Sequence, residues 1–167
     1  MIDPTAYIAP GALVMGDVHL GPESSIWYNS VVRGDMAPIR IGDKTNIQDL
    51  TMIHVDEGVP CAIGARVTVG HRVIIHGCTI EDECLIGMGA IVMNHVRLGQ
   101  GSVVGAGAVL TEGLDIPPAS LVLGVPAKVV RPVNPDLRAR SGQAWRHYRE
   151  VARQHRAGKF PLYAGSG

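Results

Sequence analysis

Aromatic residues make up 4% of the 167-residue chain: one Phe, two Trp and four Tyr. Globular cores normally lean on large rings, so this scarcity excludes a broad interior and calls for a narrow one filled by branched aliphatics. Charge is sparse too, at 18%, and Lys+Arg and Asp+Glu tie at 15 each. No basic surplus points to nucleic acid or anionic lipid as a partner. No apolar run approaches the ~20 residues of a membrane span. Met1-Ile2-Asp3-Pro4 lacks the basic and apolar stretches of a secretion signal, so a cytoplasmic protein is expected. Three cysteines in loose spacing exclude a disulfide framework. Cys61, Cys78 and Cys84 are read as reduced, structural thiols, with Cys84 at a small core position. What is abundant is Ile, Val and Leu, 45 residues between them, together with 21 Gly and 11 Pro in a chain of single-domain length.

Those aliphatics repeat. One recurs every six positions at Ile8, Val14, Leu20, Ile26 and Val32; the frame resumes at Ile41, Ile47 and Ile53 after a three-residue insertion. A four-residue insertion leads to Ile63, Val69 and Ile75, and one short hexad leads to Ile80 and onward in sixes to Val122. All nineteen positions are Ile, Val or Leu, and a small residue usually follows four places on, as at Ser24, Ser30, Thr45, Thr51 and Cys84. A period of six fits neither an amphipathic helix nor a two-sided strand. It fits a short strand plus a corner. Three such units make one triangular coil, and stacked coils pair along the backbone as a parallel β-helix over residues 1–131. The hexapeptide pattern resembles that of left-handed β-helix proteins, and the hand is taken from that resemblance, because crossover chirality alone favours the opposite one.

The pattern stops at Gly124–Arg131. Asn134-Pro135 reads as an N-cap with Pro at the first helical position. Leu137, Ala144, Trp145, Tyr148, Val151, Ala152 and His155 then form one apolar stripe at helical spacing. A helix within 132–158 lying along the prism is expected, with a break at Ser141-Gly142, and 159–167 read as a loose tail.

Hexad arithmetic places the polar residues. Three hexads return the chain to the same face one coil higher, about 4.8 Å away. Val32, Ile53, Ile75 and Val92 are then successive rungs, and the next residues, Arg33, His54 and His76, form an outward column. Two stacked imidazoles can share a metal ion. His71 lies on the neighbouring face, and five extended residues separate it from His76 by up to ~16 Å. A second subunit could bring its own His71 to the His54/His76 pair, which predicts a closed ring, most simply a trimer, with metal at the seams. His19, His95, His147 and His155 lack comparable partners and are read as ordinary side chains.

Ser25-Ile26-Trp27, Val32-Arg33-Gly34-Asp35, Ile41-Gly42, Asn46-Ile47-Gln48-Asp49, Ile53-His54 and Gly70-His71 through His76-Gly77 occur in order. Together they resemble the gamma-class carbonic anhydrase family over residues 1–158. The resemblance implies zinc, ferrous iron or cobalt held by His54 and His76 of one subunit and His71 of the next, in a homotrimer. It implies an Arg33–Asp35 salt bridge at the seam, and Gln48, supported by Asn46, bonding the metal-bound water. A cation with three neutral imidazoles lowers the pKa of its water to around 7, and the hydroxide converts carbon dioxide to bicarbonate. Two proton-exporting glutamates of active members have no clear match. Met36 stands where one can lie, and the loop after His54 is short. Glu57 is the proton-shuttle candidate, and Tyr148 is expected either near the metal or in the helix packing.

Two other classes compete. Gly124-Val125-Pro126-Ala127-Lys128 resembles the segment after the last coil of hexapeptide acyltransferases. Such an enzyme, or a CoA-thioester hydrolase on the same scaffold, is the second reading. A non-catalytic assembly module clamped by metal is the third.

Overall fold

An aliphatic at every sixth residue can be buried only if the chain turns within each hexad. In the computed structural model, which describes residues 1–163, it does so. The first face stacks Tyr7–Ile8, Ser25–Ile26, Asn46–Ile47, Thr68–Val69, Leu85–Ile86, Val103–Val104 and Ser120–Leu123 as neighbouring strands. The second carries the rungs Val14, Val32, Ile53, Ile75, Val92 and Leu110, paired in parallel in that order. The third carries Leu20, Ile41, Ile63, Ile80, Leu98 and Ile116. Strand Val31–Ile41 is long enough to serve both of the latter, pairing with Met52-Ile53 at its start and with Cys61–Ile63 at its end. The three-residue insertion is therefore absorbed within a continuous strand.

Seventeen of the nineteen repeat aliphatics are buried. The exceptions belong to the first coil: Ile8, 39% exposed, and Val14, which is partly buried against the core. Full burial of one such side chain contributes roughly 1.5–3 kcal/mol. The small fourth positions have their own reason. Ser24, Ser30, Thr45, Thr51 and Ser102 donate their hydroxyls to the carbonyls of Gly21, Gln48, Gly64, Gly70 and Pro117, which pairs buried polar groups inside an apolar prism. Cys84 substitutes for a hydroxyl, its Sγ 3.3 Å from the Gly99 carbonyl, and burial pushes its thiol up to about 12. Cys61 and Cys78 are also free and buried. At the corners nine non-glycine residues, among them Leu50, Arg66 and Arg72, hold positive φ. Such conformations are uncommon for residues with a Cβ; here the sharp turn recurs in coil after coil.

Past the last coil, Lys128–Pro132 folds back antiparallel on Ser120–Leu123 and covers an edge that would otherwise stand open. The helix Pro135–Arg156 follows, capped by Asn134 Oδ1 accepting from the Leu137 N–H at 2.9 Å. It is continuous, contrary to the expected break at Ser141-Gly142. Ser141 is buried and donates to the Glu83 carbonyl, so the small pair brings the helix close to the prism while its backbone bonds continue. Residues 160–163 have no regular structure, and 164–167 of the expected tail lie outside the described residues. No helix of the described residues is long and apolar enough to cross a membrane.

Because Ile86 has no exposed surface and is gripped by rungs above and below, Ile86→Ala is expected to lower unfolding free energy by about 2–5 kcal/mol. Urea denaturation followed by circular dichroism checks this value.

Candidate metal centre

Pairing of Ile53 with Ile75 carries His54 directly under His76. The two rings lie edge to face, 5.0 Å between centroids, with His54 Nδ1 3.0 Å from His76 Nε2. Arg33 stands one coil earlier, as the rung order requires. It donates to Asp35 Oδ2 at 2.5 Å, and the other oxygen of Asp35 lies 3.1 Å from His54 Nε2. Gly34 separates these two because nothing larger fits: a Cβ there would come within 2.8 Å of the Asp17 carbonyl oxygen.

The outer partners fix the tautomers. Asn94 donates its amide nitrogen to Asp56 at 2.7 Å, which turns its carbonyl oxygen toward His76 Nδ1, also at 2.7 Å. His76 Nδ1 must therefore donate, leaving a lone pair on Nε2. His54 Nε2 donates to the Asp35 carboxylate, leaving a lone pair on Nδ1. With both rings neutral, two acceptors face one another at 3.0 Å. Only a cation between them, a proton or a metal ion, relieves that contact. Two metal–nitrogen bonds of about 2.0–2.1 Å span such a gap, so the donor set fits a metal.

His71 follows the first-face strand Thr68–Val69 and so stands at a different corner from His76. Among the described residues no three His, Cys, Asp or Glu side chains of one chain converge as a metal site. Both ring nitrogens of His71 have polar neighbours. Its Nδ1 meets Asp49 Oδ2 at 2.9 Å, and its Nε2 lies 3.4 Å from the Tyr148 hydroxyl. Burial, with the Asp49 charge adding, pushes the Tyr148 phenol up, so it stays protonated at neutral pH. The same ring packs edge-on to Trp27 at 5.2 Å, so proximity to His71 and helix packing both hold. Gln48 is buried beside this corner, its backbone N–H on the Val69 carbonyl and its side chain donating to Asn46 Oδ1 at 3.1 Å. Asn46 in turn donates to Thr68. Glu57 is exposed on the turn closed by Asp56 and Val59, and Met36 is exposed as well. His155 serves packing, set edge-on to Trp27 and bonded to the Tyr28 hydroxyl at 2.9 Å.

Sequence reasoning assigned no role to Asp49, Asn94 or Asp56. A signal existed for Asp49, since the 22-residue offset that pairs Ile47 with Val69 also sets residue 49 beneath His71. The reach from Asn94 to Asp56 crosses loops and had none.

The profile of the bacterial transferase hexapeptide family (six repeats) matches residues 77–112. The carbonic anhydrase of Geobacillus kaustophilus is 42% identical over 153 residues, covering 92% of this chain and 84% of that one. The mitochondrial gamma carbonic anhydrase 1 of Arabidopsis thaliana is 39% identical over 163 residues, covering 94% of this chain. This chain belongs to the gamma-class carbonic anhydrase family. It spans 59% of the length of the Arabidopsis gamma carbonic anhydrase. An X-ray structure from Bacillus cereus, provisionally described as an acetyltransferase, superposes with a TM-score of 0.92 at 40% identity, covering 93% of this chain and 91% of that chain. Gamma-class membership implies a metal cofactor, and the facing lone pairs on His54 and His76 are consistent with one.

Asp35 gives the centre a pH dependence. The Arg33 hydrogen bond holds its carboxyl below the usual value against desolvation, and the His54 hydrogen bond adds to the effect. Stability from a depressed carboxyl is fully present above the ordinary carboxylate range near pH 4 and is lost as pH falls through its lower folded value. Asp35→Asn is expected to flatten the acid limb of the stability–pH curve below about pH 4, measured by thermal melts from pH 2.5 to 7.

Proposed function

We propose that the protein is a trimeric, metal-dependent carbonic anhydrase that interconverts carbon dioxide and bicarbonate at its subunit seams. The observation that carries this reading is the 3.0 Å approach of His54 Nδ1 to His76 Nε2, with Asp35 and Asn94 oxygens against their other ring nitrogens. His54 and His76 of one chain and His71 of the next would hold the ion: zinc, with ferrous iron or cobalt as alternatives that imidazole also suits. When bound, the ion supplies hydroxide near neutral pH by lowering the pKa of water to about 7.

The chain's own groups have distinct tasks in this reading. Asn46 holds the Gln48 amide, which orients the attacking water. Arg33 and Asp35 brace His54, and Asp49 braces His71. The Tyr148 hydroxyl lies 3.4 Å from His71 Nε2 and borders the site. Glu57, exposed in the turn after His54, carries the released proton to solvent.

A trimer is supported by the surface beside the histidines. Leu13, Val31, Met52, Ile74, Ile91 and Val109 form a continuous outward apolar ladder on the second face, one residue before the buried rungs. Leu13, Met52 and Ile74 are exposed in the single chain. An apolar stripe of this kind marks an association surface, and it adjoins the His54/His76 column.

Purified protein is expected to hold one metal per chain and to hydrate carbon dioxide in stopped-flow assays; His54→Ala and His71→Ala should each lose both properties. Co-refolding the two variants tests the shared site. A His71→Ala chain still offers His54 and His76, and a His54→Ala chain offers His71, so mixed trimers should regain metal and turnover at matched seams. No recovery in mixed trimers would refute a seam shared between chains. Acetyl-CoA turnover surviving chelation would favour the acyltransferase reading. Metal-dependent trimers without hydration would favour the assembly module.

A further inference from the structure

Seven of the fifteen Lys and Arg residues, but only two of the fifteen Asp and Glu, fall in residues 135–159. The helix is thus a basic strap on an acidic prism, and Arg149 and Arg153 pair with it through Glu23. At its C-terminal end carboxylate partners are undersupplied. A cavity of about 280 Å³ lies between this end and the first two coils, lined by Thr5, Tyr7, Glu23, Arg149, Arg153 and Arg156 among others. Three arginines here meet one carboxylate. Arg149 Nε, at 2.9 Å, and Arg153 Nη2, at 2.5 Å, both donate to the same oxygen of Glu23. Together they outweigh burial and keep Glu23 ionised. Arg156 donates to the Ala6 carbonyl, and among the described residues it pairs with no carboxylate. Asp3 accepts from Thr5 at the cavity wall and stays ionised.

We propose that this cavity is a binding site for a dianionic phosphoryl group, free phosphate or a small phosphate monoester. The three guanidiniums outnumber the carboxylates of Glu23 and Asp3, and guanidinium forks suit phosphate oxygens in bidentate contact. The volume is just under the usual range for drug-sized ligands, which admits phosphate with a few carbons. The cavity stands apart from the metal centre. Glu23 and Ser24 precede the first-face strand Ser25–Ile26, whereas His71 follows Thr68–Val69 at the opposite edge of that face.

Isothermal titration of the metal-loaded protein with inorganic phosphate and with glycerol phosphate, at fixed ionic strength, tests the site. Saturable binding of one ligand per chain is expected, weakened at least tenfold by Arg153→Gln or Arg156→Gln. Arg138→Gln, nearer the start of the same helix, should leave it unchanged, and Glu23→Gln should tighten it. Because phosphate also ligates metals, His54→Ala is titrated in parallel and should bind as the parent does. Tighter binding of either probe identifies the form preferred and upholds the site. Binding that never saturates, that is indifferent to both arginine substitutions, or that disappears in His54→Ala overturns it.

Discussion

Parallel backbone pairing between successive coils holds every rung in register and sets each outward side chain over its counterpart one coil below. That constraint fills the prism with a single aliphatic per side, because the coil cannot widen without breaking the pairing. It also stacks His54 and His76 at a spacing that free side chains would rarely keep. Core and candidate centre are two faces of one alternation: Ile53 and Ile75 point inward, and the next residue of each strand points out. A slip of one residue would bury both imidazoles and expose both isoleucines.

Around that pair the chain spends polar groups on orientation. His54 and His71 each meet a carboxylate directly, while His76 reaches one through an amide. Each contact sets the proton on one ring nitrogen and leaves the lone pair on the other. Imidazoles free to rotate would pay for alignment whenever a cation arrived; these are aligned in advance. In the proposed trimer, burying the apolar ladder against another chain would bring a third imidazole to the first two.

The helix contributes differently. Its apolar stripe packs on the first face, with Tyr148 and His155 set edge-on around Trp27, where most of the protein's few rings are gathered. Large rings have no place inside the narrow prism, so they cluster where helix meets coil. The arginine-rich edge of the same helix faces a prism that carries most of the acids, and it fastens there through Glu23.

By itself the sequence determined the coil, the faces and the stacking of residues 33, 54 and 76. A strict period combined with strand alternation leaves no other way to bury seventeen of nineteen aliphatics. It determined the capped helix as well, because caps and stripes are local. Tertiary structure alone decided that the helix runs unbroken through Ser141-Gly142, since burial against Glu83 overrides a weak local propensity. It alone decided that Lys128–Pro132 turns back to cover the last coil, and that Asn94 reaches Asp56 to set the proton on His76. Those contacts join segments with no fixed offset between them, so only the folded loops bring them within bonding distance.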